Sequence, residues 1–197
     1  MKICVAGACG RMGRRILELT LADPDLAIGG AIDIADNDGK GISIGGETVT
    51  VSSDVAGQLA QADVLIDFTA PDACIRHATA AAQAGKPVVI GTTGLNAVQK
   101  AELQSIAAQV PVVFAPNMSI GVNLLFKLAG EVAQVLGLDY NVEIIELHHN
   151  QKKDSPSGTA VRLGERVAEG LGLDYAKDTV HGREGLIGAR PRAEIGM

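Results

Sequence analysis

Short apolar runs recur along the first half of the chain, each closed by Gly, Pro or Asp, with longer helical stretches between them. Residues 2–6, 27–32, 64–68, 88–90 and 112–115 are nearly continuous in Val, Ile and other apolar side chains rather than alternating. Strands buried on both faces of a parallel sheet carry this pattern. The stretches 11–22, 72–84 and 96–109 are predicted helices; around the last, Leu95, Val98, Leu103 and Ile106 fall on one face. Such a β-α-β series predicts an α/β fold with a doubly wound parallel sheet and ligands at the carboxyl ends of its strands. Residues 36–60 read less clearly: 48–51 suggests a further strand, and 39–46 a flexible glycine-rich loop.

The pattern breaks at Ala115-Pro116-Asn117-Met118-Ser119. Beyond it Val122, Leu125, Phe126, Ala129, Val132, Ala133 and Leu136 recur with a period near 3.6, predicting an amphipathic helix that ends at Gly137. A domain boundary is therefore expected at about 120, separating residues 1–120 from 121–197. In the second part a strand is expected over 141–148, then a charged loop. A helix follows over 158–171, burying Ala160, Leu163, Val167 and Leu171. On a continuing strand His148 and His149 would point to opposite faces, one buried and one solvated. The tail after Asp178 is rich in Gly and Arg and has little to bury.

Composition narrows the class. Apolar residues make up 47% of the chain and aromatics 3%, so aliphatic side chains must build the core. A net charge of −6 argues against a nucleic-acid backbone as partner. The three cysteines, Cys4, Cys9 and Cys74, lack metal spacing and suit a reducing, cytoplasmic setting. No apolar run reaches the roughly 18 residues of a membrane span. The opening reads as a buried strand, not a signal peptide. No metal site is expected.

Chemistry gathers at strand ends. Gly7-Ala8-Cys9-Gly10-Arg11-Met12-Gly13 follows the first strand and opens the first helix, where glycines allow a tight turn and a close backbone approach to a pyrophosphate. Cys9 stands where the usual fingerprint has its middle glycine. Asp33 closes the second strand, where a carboxylate can accept hydrogen bonds from both ribose hydroxyls and disfavour a 2′-phosphate. Arg11, Arg14 or Arg15 would soften that preference. Asp67-Phe68-Thr69 and Gly91-Thr92-Thr93-Gly94 end further strands; they suit a nicotinamide and its ribose, or else ordinary turn and capping chemistry. The densest cluster is 146–160. There His148 and His149 precede Lys152 and Lys153, and Ser157-Gly158-Thr159 starts a helix. A helix start beside an ammonium forms a carboxylate receptor. The plain alternative is a solvated charge run followed by an N-cap.

These motifs, in this order, resemble the 4-hydroxy-tetrahydrodipicolinate reductase (dihydrodipicolinate reductase) family. The His-His, Lys and Pro-Ser-Gly-Thr string of 146–159 is the most specific part, and the string 115–123 is also family-like. The resemblance implies a Rossmann-like dinucleotide-binding domain and a second α+β domain for substrate binding and oligomerisation. It implies that Gly7, Ala8, Cys9, Gly10, Arg11, Met12, Asp33, Gly91, Thr92, Thr93, Ala115, Pro116, Asn117 and Met118 contact NADH or NADPH. It makes His148 the acid/base residue and Lys152 the proton donor, with His149, Gly158 and Thr159 holding a small cyclic dicarboxylate. It also implies a homotetramer and a place in lysine and diaminopimelate biosynthesis. Family members continue for some tens of residues past Met197, so a truncated second domain is expected. The readings set beside this one are a catalytically incomplete dinucleotide-binding fragment and a related amino-dicarboxylate dehydrogenase.

Overall fold

The computed structural model describes residues 1–152 and 155–197; Lys153 and Asp154 of the charged cluster lie outside the described residues. The chain divides into two compact units, Met1–Ala115 and Pro116–Met197.

The first unit runs β1 (Lys2–Ala6), α1 (Arg11–Ala22), β2 (Ala27–Ile32), β3 (Gly41–Ile44), β4 (Glu47–Thr50), α2 (Val55–Ala60), β5 (Val64–Asp67), α3 (Pro71–Gln83), β6 (Val88–Ile90), α4 (Ala97–Ala107) and β7 (Val112–Phe114). The five strands predicted from aliphatic runs form one sheet in the order β2-β1-β5-β6-β7, with every pair parallel. Both faces are covered, which explains the lack of alternation. Cys4, Leu65, Val88 and Ile90 pack with Cys74, Ala78, Leu103 and Ile106 on one side; Ile3, Val5 and Ala31 pack with Leu17 on the other. The chain leaves β1 for β2 on one side and returns to β5 on the other, so the topological switch lies at the carboxyl end of β1.

Two expectations change here, and a short helix joins the elements. The segment 39–46 is not a loop: Gly41–Ile44 pairs antiparallel with Glu47–Thr50. Ile42, Ile44 and Val49 turn inward onto the second core, and Gly45 and Gly46, with φ of 57° and 89°, make a two-residue hairpin turn that needs positive φ at both positions. The short helix α2 starts at Asp54, whose side chain accepts from Gly57 N–H. Val98 does not share the buried face of α4: it is exposed, while Leu95, Leu103 and Ile106 are buried.

The second unit contains α5 (Ile120–Leu136), β8 (Val142–Glu143), α6 (Gly158–Leu171), α7 (Tyr175–Asp178), β9 (Thr179–Val180) and β10 (Ile195–Gly196). The strands form a small parallel sheet in the order β8-β10-β9. Its core joins Ala133, Ile144, Ala160, Val167, Ala168 and Ile195. Helix α5 crosses α6 where small residues let the backbones close: a Cβ on Gly170 would lie 2.4 Å from the Gly130 carbonyl oxygen. Because contact centres on this stripe, Phe126 and Ala133 are buried, but Leu125, Val132 and Leu136 of the predicted apolar face are exposed. By length and composition alone, Ile120–Asp139 is long and apolar enough to cross a membrane, a test that core helices of soluble proteins also pass, although no uninterrupted apolar run within it reaches a span's length. Lys127 and Glu131 lie within it, 3.7 Å apart.

The strand expected over 141–148 is two residues long, because its partner β10 offers only Ile195 and Gly196 to the ladder. Past Ile144 the chain leaves the sheet, and Ile145 and Leu147 are exposed. The tail buries more than expected: Ile195 is inaccessible, and Arg183 and Arg190 bind Glu143 and Glu194 around it.

A very close backbone approach lies under the glycine turn, where a Cβ on Gly13 would stand 2.1 Å from the Gly7 carbonyl oxygen. Gly13→Ala should therefore cost about 1–3 kcal/mol, as overpacked sites do, read as a lower urea midpoint with an unchanged slope.

Candidate active site

The first strand ends at Gly7, whose φ of 82° only glycine adopts readily. The N–H groups of Gly7 and Ala8 both donate to the Ile32 carbonyl, at 2.9 and 3.1 Å, locking the turn onto β2. Gly10 then caps α1, placing Arg11 and Met12, both exposed, in its first turn. Cys9 is accommodated at the middle position because positive φ among the described residues is confined to glycines elsewhere. Its N–H donates to Asp33 Oδ2 at 2.8 Å, while Arg14 Nε donates to its carbonyl at 3.1 Å. Asp33 Oδ1 accepts from Ile34 N–H and from Asn37 Nδ2, each at 2.9 Å. Partial burial pushes this carboxyl up, but the donors from Cys9, Asn37 and Ile34 outweigh it and hold the group below its usual range. A carboxylate offers about four acceptor sites, so roughly one is left for a ribose hydroxyl, fewer than the two expected.

A cavity of about 910 Å³ opens beside this turn, lined among others by Gly7, Cys9, Gly10, Asp33, Thr69 and His77. The fit to a dinucleotide is direct. Glycines shape a cradle that side chains would fill, an anionic acceptor stands at the end of β2, and the space lies at the switch point of the sheet.

Next to the cavity lies an arrangement that the sequence did not announce. Asp67, at the end of β5, has no exposure to solvent. Its carboxylate accepts from Thr92 Oγ1 at 2.6 Å and from Thr69 Oγ1 at 2.8 Å, and it pairs with His77 Nδ1 at 2.7 Å. Thr92 is itself buried and accepts from Thr69 N–H, so its hydroxyl is committed to the protein. Thr93 is exposed, and Gly94 has a φ of 82°, as turn chemistry requires. Gly91 lies against Phe68, whose ring would meet any added Cβ. Ala115 closes the first unit, its N–H donating to Ile90 O. His77 was missed because its partner is ten residues away; the available signal was an Asp ending a strand with a His on the helix that follows.

In the second unit, Pro116, Asn117 and Met118 precede α5. Asn117 Oδ1 accepts from Ser119 N–H at 2.9 Å, and its Nδ2 reaches Thr159 Oγ1 at 3.3 Å. Ser157 is the N-cap of α6, its hydroxyl accepting from Ala160 N–H at 3.1 Å. The amides of Gly158 and Thr159 that follow have no partner within the helix. Glu146 binds both Ser157 N–H, at 2.8 Å, and the Ser157 hydroxyl, and its Oε2 lies 3.1 Å from His148 Nε2. His148 and His149 are both exposed, against the expectation of one buried and one solvated, because the strand has already ended. His149 Nδ1 accepts from Gln151 N–H, and Lys152 N–H donates to His149 O, which closes the loop into a turn. Among the described residues no His, Cys, Asp and Glu cluster could hold a metal.

A glycine turn, a strand-end acid and a cavity at the switch of a parallel sheet define a dinucleotide-dependent enzyme. Comparison narrows the class. Residues 1–118 match the family described as Dihydrodipicolinate reductase, N-terminus, and residues 121–197 match Dihydrodipicolinate reductase, C-terminus. The 4-hydroxy-tetrahydrodipicolinate reductases of Syntrophotalea carbinolica and Anaeromyxobacter dehalogenans (strain 2CP-1) are 48% and 50% identical to it. Those alignments cover 100% of this chain and 76% and 75% of theirs. A solved dipicolinate-bound dihydrodipicolinate reductase from Paenisporosarcina sp. TG-14 superposes with a TM-score of 0.69 at 26% identity, covering 100% of this chain and 77% of that one. The chain belongs to the dihydrodipicolinate reductase family.

Burial pushes the Asp67 carboxyl up, but the bonds from His77, Thr92 and Thr69 hold it below its ordinary value. Its contribution to stability is thus complete above the unfolded value of about 3.9 and lost as pH falls through the lower folded value. Asp67→Asn should cost on the order of 2 kcal/mol near neutrality, a deficit that shrinks below about pH 4. Urea unfolding of both proteins across that range measures it.

Proposed function

We propose that residues 146–152 and the start of α6 form the catalytic and substrate-binding centre of a reductase of 4-hydroxy-tetrahydrodipicolinate, with the glycine turn and Asp33 holding the dinucleotide. The observation that carries this reading is the bond from Asn117 to Thr159. It joins the string expected to meet the cofactor to the string expected to hold the substrate, inside one unit. Family members are NAD(P)H-dependent oxidoreductases, and this chain is one of them.

Bound at the cavity of the first unit, NADH or NADPH supplies the hydride that reduces the ring. The remaining work falls to side chains of the second unit. The amides of Gly158 and Thr159 at the start of α6, with His149, receive a substrate carboxylate, because a helix N-terminus favours negative charge. The ring hydroxyl leaves as water, Lys152 gives the ring carbon its proton, and His148 is the acid/base residue. Asp33 directs a ribose hydroxyl and opposes a 2′-phosphate. Arg15 does little to soften that, being paired with Glu18 at 2.9 Å, and Arg14 Nε is taken by Cys9 O. The exposed apolar residues of α5, with Ile145 and Leu147, support association with further copies into the homotetramer that the resemblance implies. Three free cysteines support a cytoplasmic setting.

Following loss of reduced-nicotinamide absorbance with freshly generated substrate tests the site. His148→Gln and Lys152→Ala should each lower kcat by about 10²–10⁴ while leaving NADH affinity within about twofold; unchanged turnover in either variant would remove its assigned role. Asp33→Asn should weaken NADH binding by about tenfold, the worth of one charge-assisted hydrogen bond, and narrow any discrimination against NADPH. A cofactor titration by fluorescence reads both effects.

A further inference from the structure

Glu146 is the residue of the second unit that touches both halves of the proposed chemistry, yet no role has been attached to it. Its carboxylate spans the start of α6: Oε1 accepts from Ser157 N–H at 2.8 Å, and Oε2 accepts from the Ser157 hydroxyl. The same Oε2 faces His148 Nε2 at 3.1 Å. Ser157 is buried and spends its own oxygen on Ala160 N–H, so the serine is a fixed post and not a swinging hydroxyl. The charge on Glu146 is secure. The Ser157 hydroxyl bond, the largest influence, lowers the carboxyl below its usual range, partial burial opposes it, and Ser157 N–H and His148 add to the lowering.

An ionised carboxylate can only accept, so the nitrogen facing it must carry the hydrogen. Nε2 is then protonated in both states of the ring, and Nδ1 is the atom that gains and loses the exchangeable proton. The titratable groups facing this pair include Tyr175 from α7. Its hydroxyl is pushed above the ordinary value by burial and then by Glu165 and Glu146, so it stays neutral through the physiological range. The N-cap of α6 contributes the Ser157 donors, which bring no charge, and α6 itself contributes Glu165, which acts on Tyr175.

We propose that Glu146 is a positioning residue of the reduction, holding the His148 ring by Nε2 at a fixed place beside the helix start that receives the substrate, so that Nδ1 is the proton-exchanging atom. The inference rests on the acid/base role of His148 proposed above. It extends that reading by specifying the ring nitrogen and the group that orients it. Geometry supplies the reason for the arrangement: one carboxylate ties the histidine to the same serine that caps the substrate helix, so the two cannot drift apart while Glu146 is charged.

The test is kcat for Glu146→Gln, which keeps the shape and removes the charge: kcat should fall about tenfold with the NADH dissociation constant unmoved. In a His148→Gln background the same change should cost nothing further in kcat, because the group it positions is gone. Glu146→Asp, which keeps an accepting carboxylate, should restore part of the loss. An undiminished kcat in Glu146→Gln, or an undiminished tenfold loss in the His148→Gln background, overturns the role of Glu146 while leaving His148 in place. Full turnover in His148→Gln alone overturns the reading beneath it, so the two failures are told apart. Should E146Q be too unstable to assay, Glu146→Asp takes its place in the same pair of backgrounds, and a loss of equal size with and without His148 sinks the proposal.

Discussion

A carboxylate without access to water needs donors around it, and Asp67 sets that demand at the end of the central strand β5. The donors come from three separate pieces of chain: Thr69 just after β5, His77 on α3 and Thr92 just after β6. Satisfying one charge therefore fixes the carboxyl ends of two adjacent strands and the helix between them. This is the edge of the sheet onto which the glycine turn opens, and the cavity wall formed by Thr69 and His77 is held in place by the same bonds. Stability and the shape of this cavity are thus two readings of one network.

A milder version recurs twice. Asp33 follows β2 and accepts backbone donors from Cys9 and Ile34; Glu146 follows β8 and accepts the amide of Ser157. In each case a carboxylate beyond a parallel strand satisfies amides at a turn or helix start that regular structure leaves unpaired. Such positions are also where ligands bind in parallel α/β folds. Acids at these places hold the architecture and present oriented groups to whatever occupies the site.

How far the sequence could be read follows from the range of the interactions involved. The five strands of the first unit were legible because burial on both faces leaves long aliphatic runs, and α6 because Ser157 and Gly172 mark its ends. The hairpin was hidden by glycines in a stretch too short to show alternation plainly, and α2 by its single turn and a half around Gly57. Ile144, Ile145 and Leu147 looked like strand, but a strand needs a ladder partner, and β10 supplies two residues only. Of the site, the glycine turn and the His-Lys string stood out as local motifs. The pairs Asp67–His77 and Asn117–Thr159 did not, since each joins residues that only folding brings together.

Cys9 carries one more consequence. A thiol in a glycine turn beside a nucleotide cavity would be an obvious target for oxidants and alkylating reagents, which attack the thiolate. Here burial, followed by the nearby Asp33 charge, pushes the thiol pKa above its ordinary value despite Lys40 and Arg14. The sulfur stays protonated at neutral pH and so reacts slowly. Asp33, which ties the turn to the end of β2 through the Cys9 amide, thereby adds to the burial that keeps its sulfur in the less reactive thiol form.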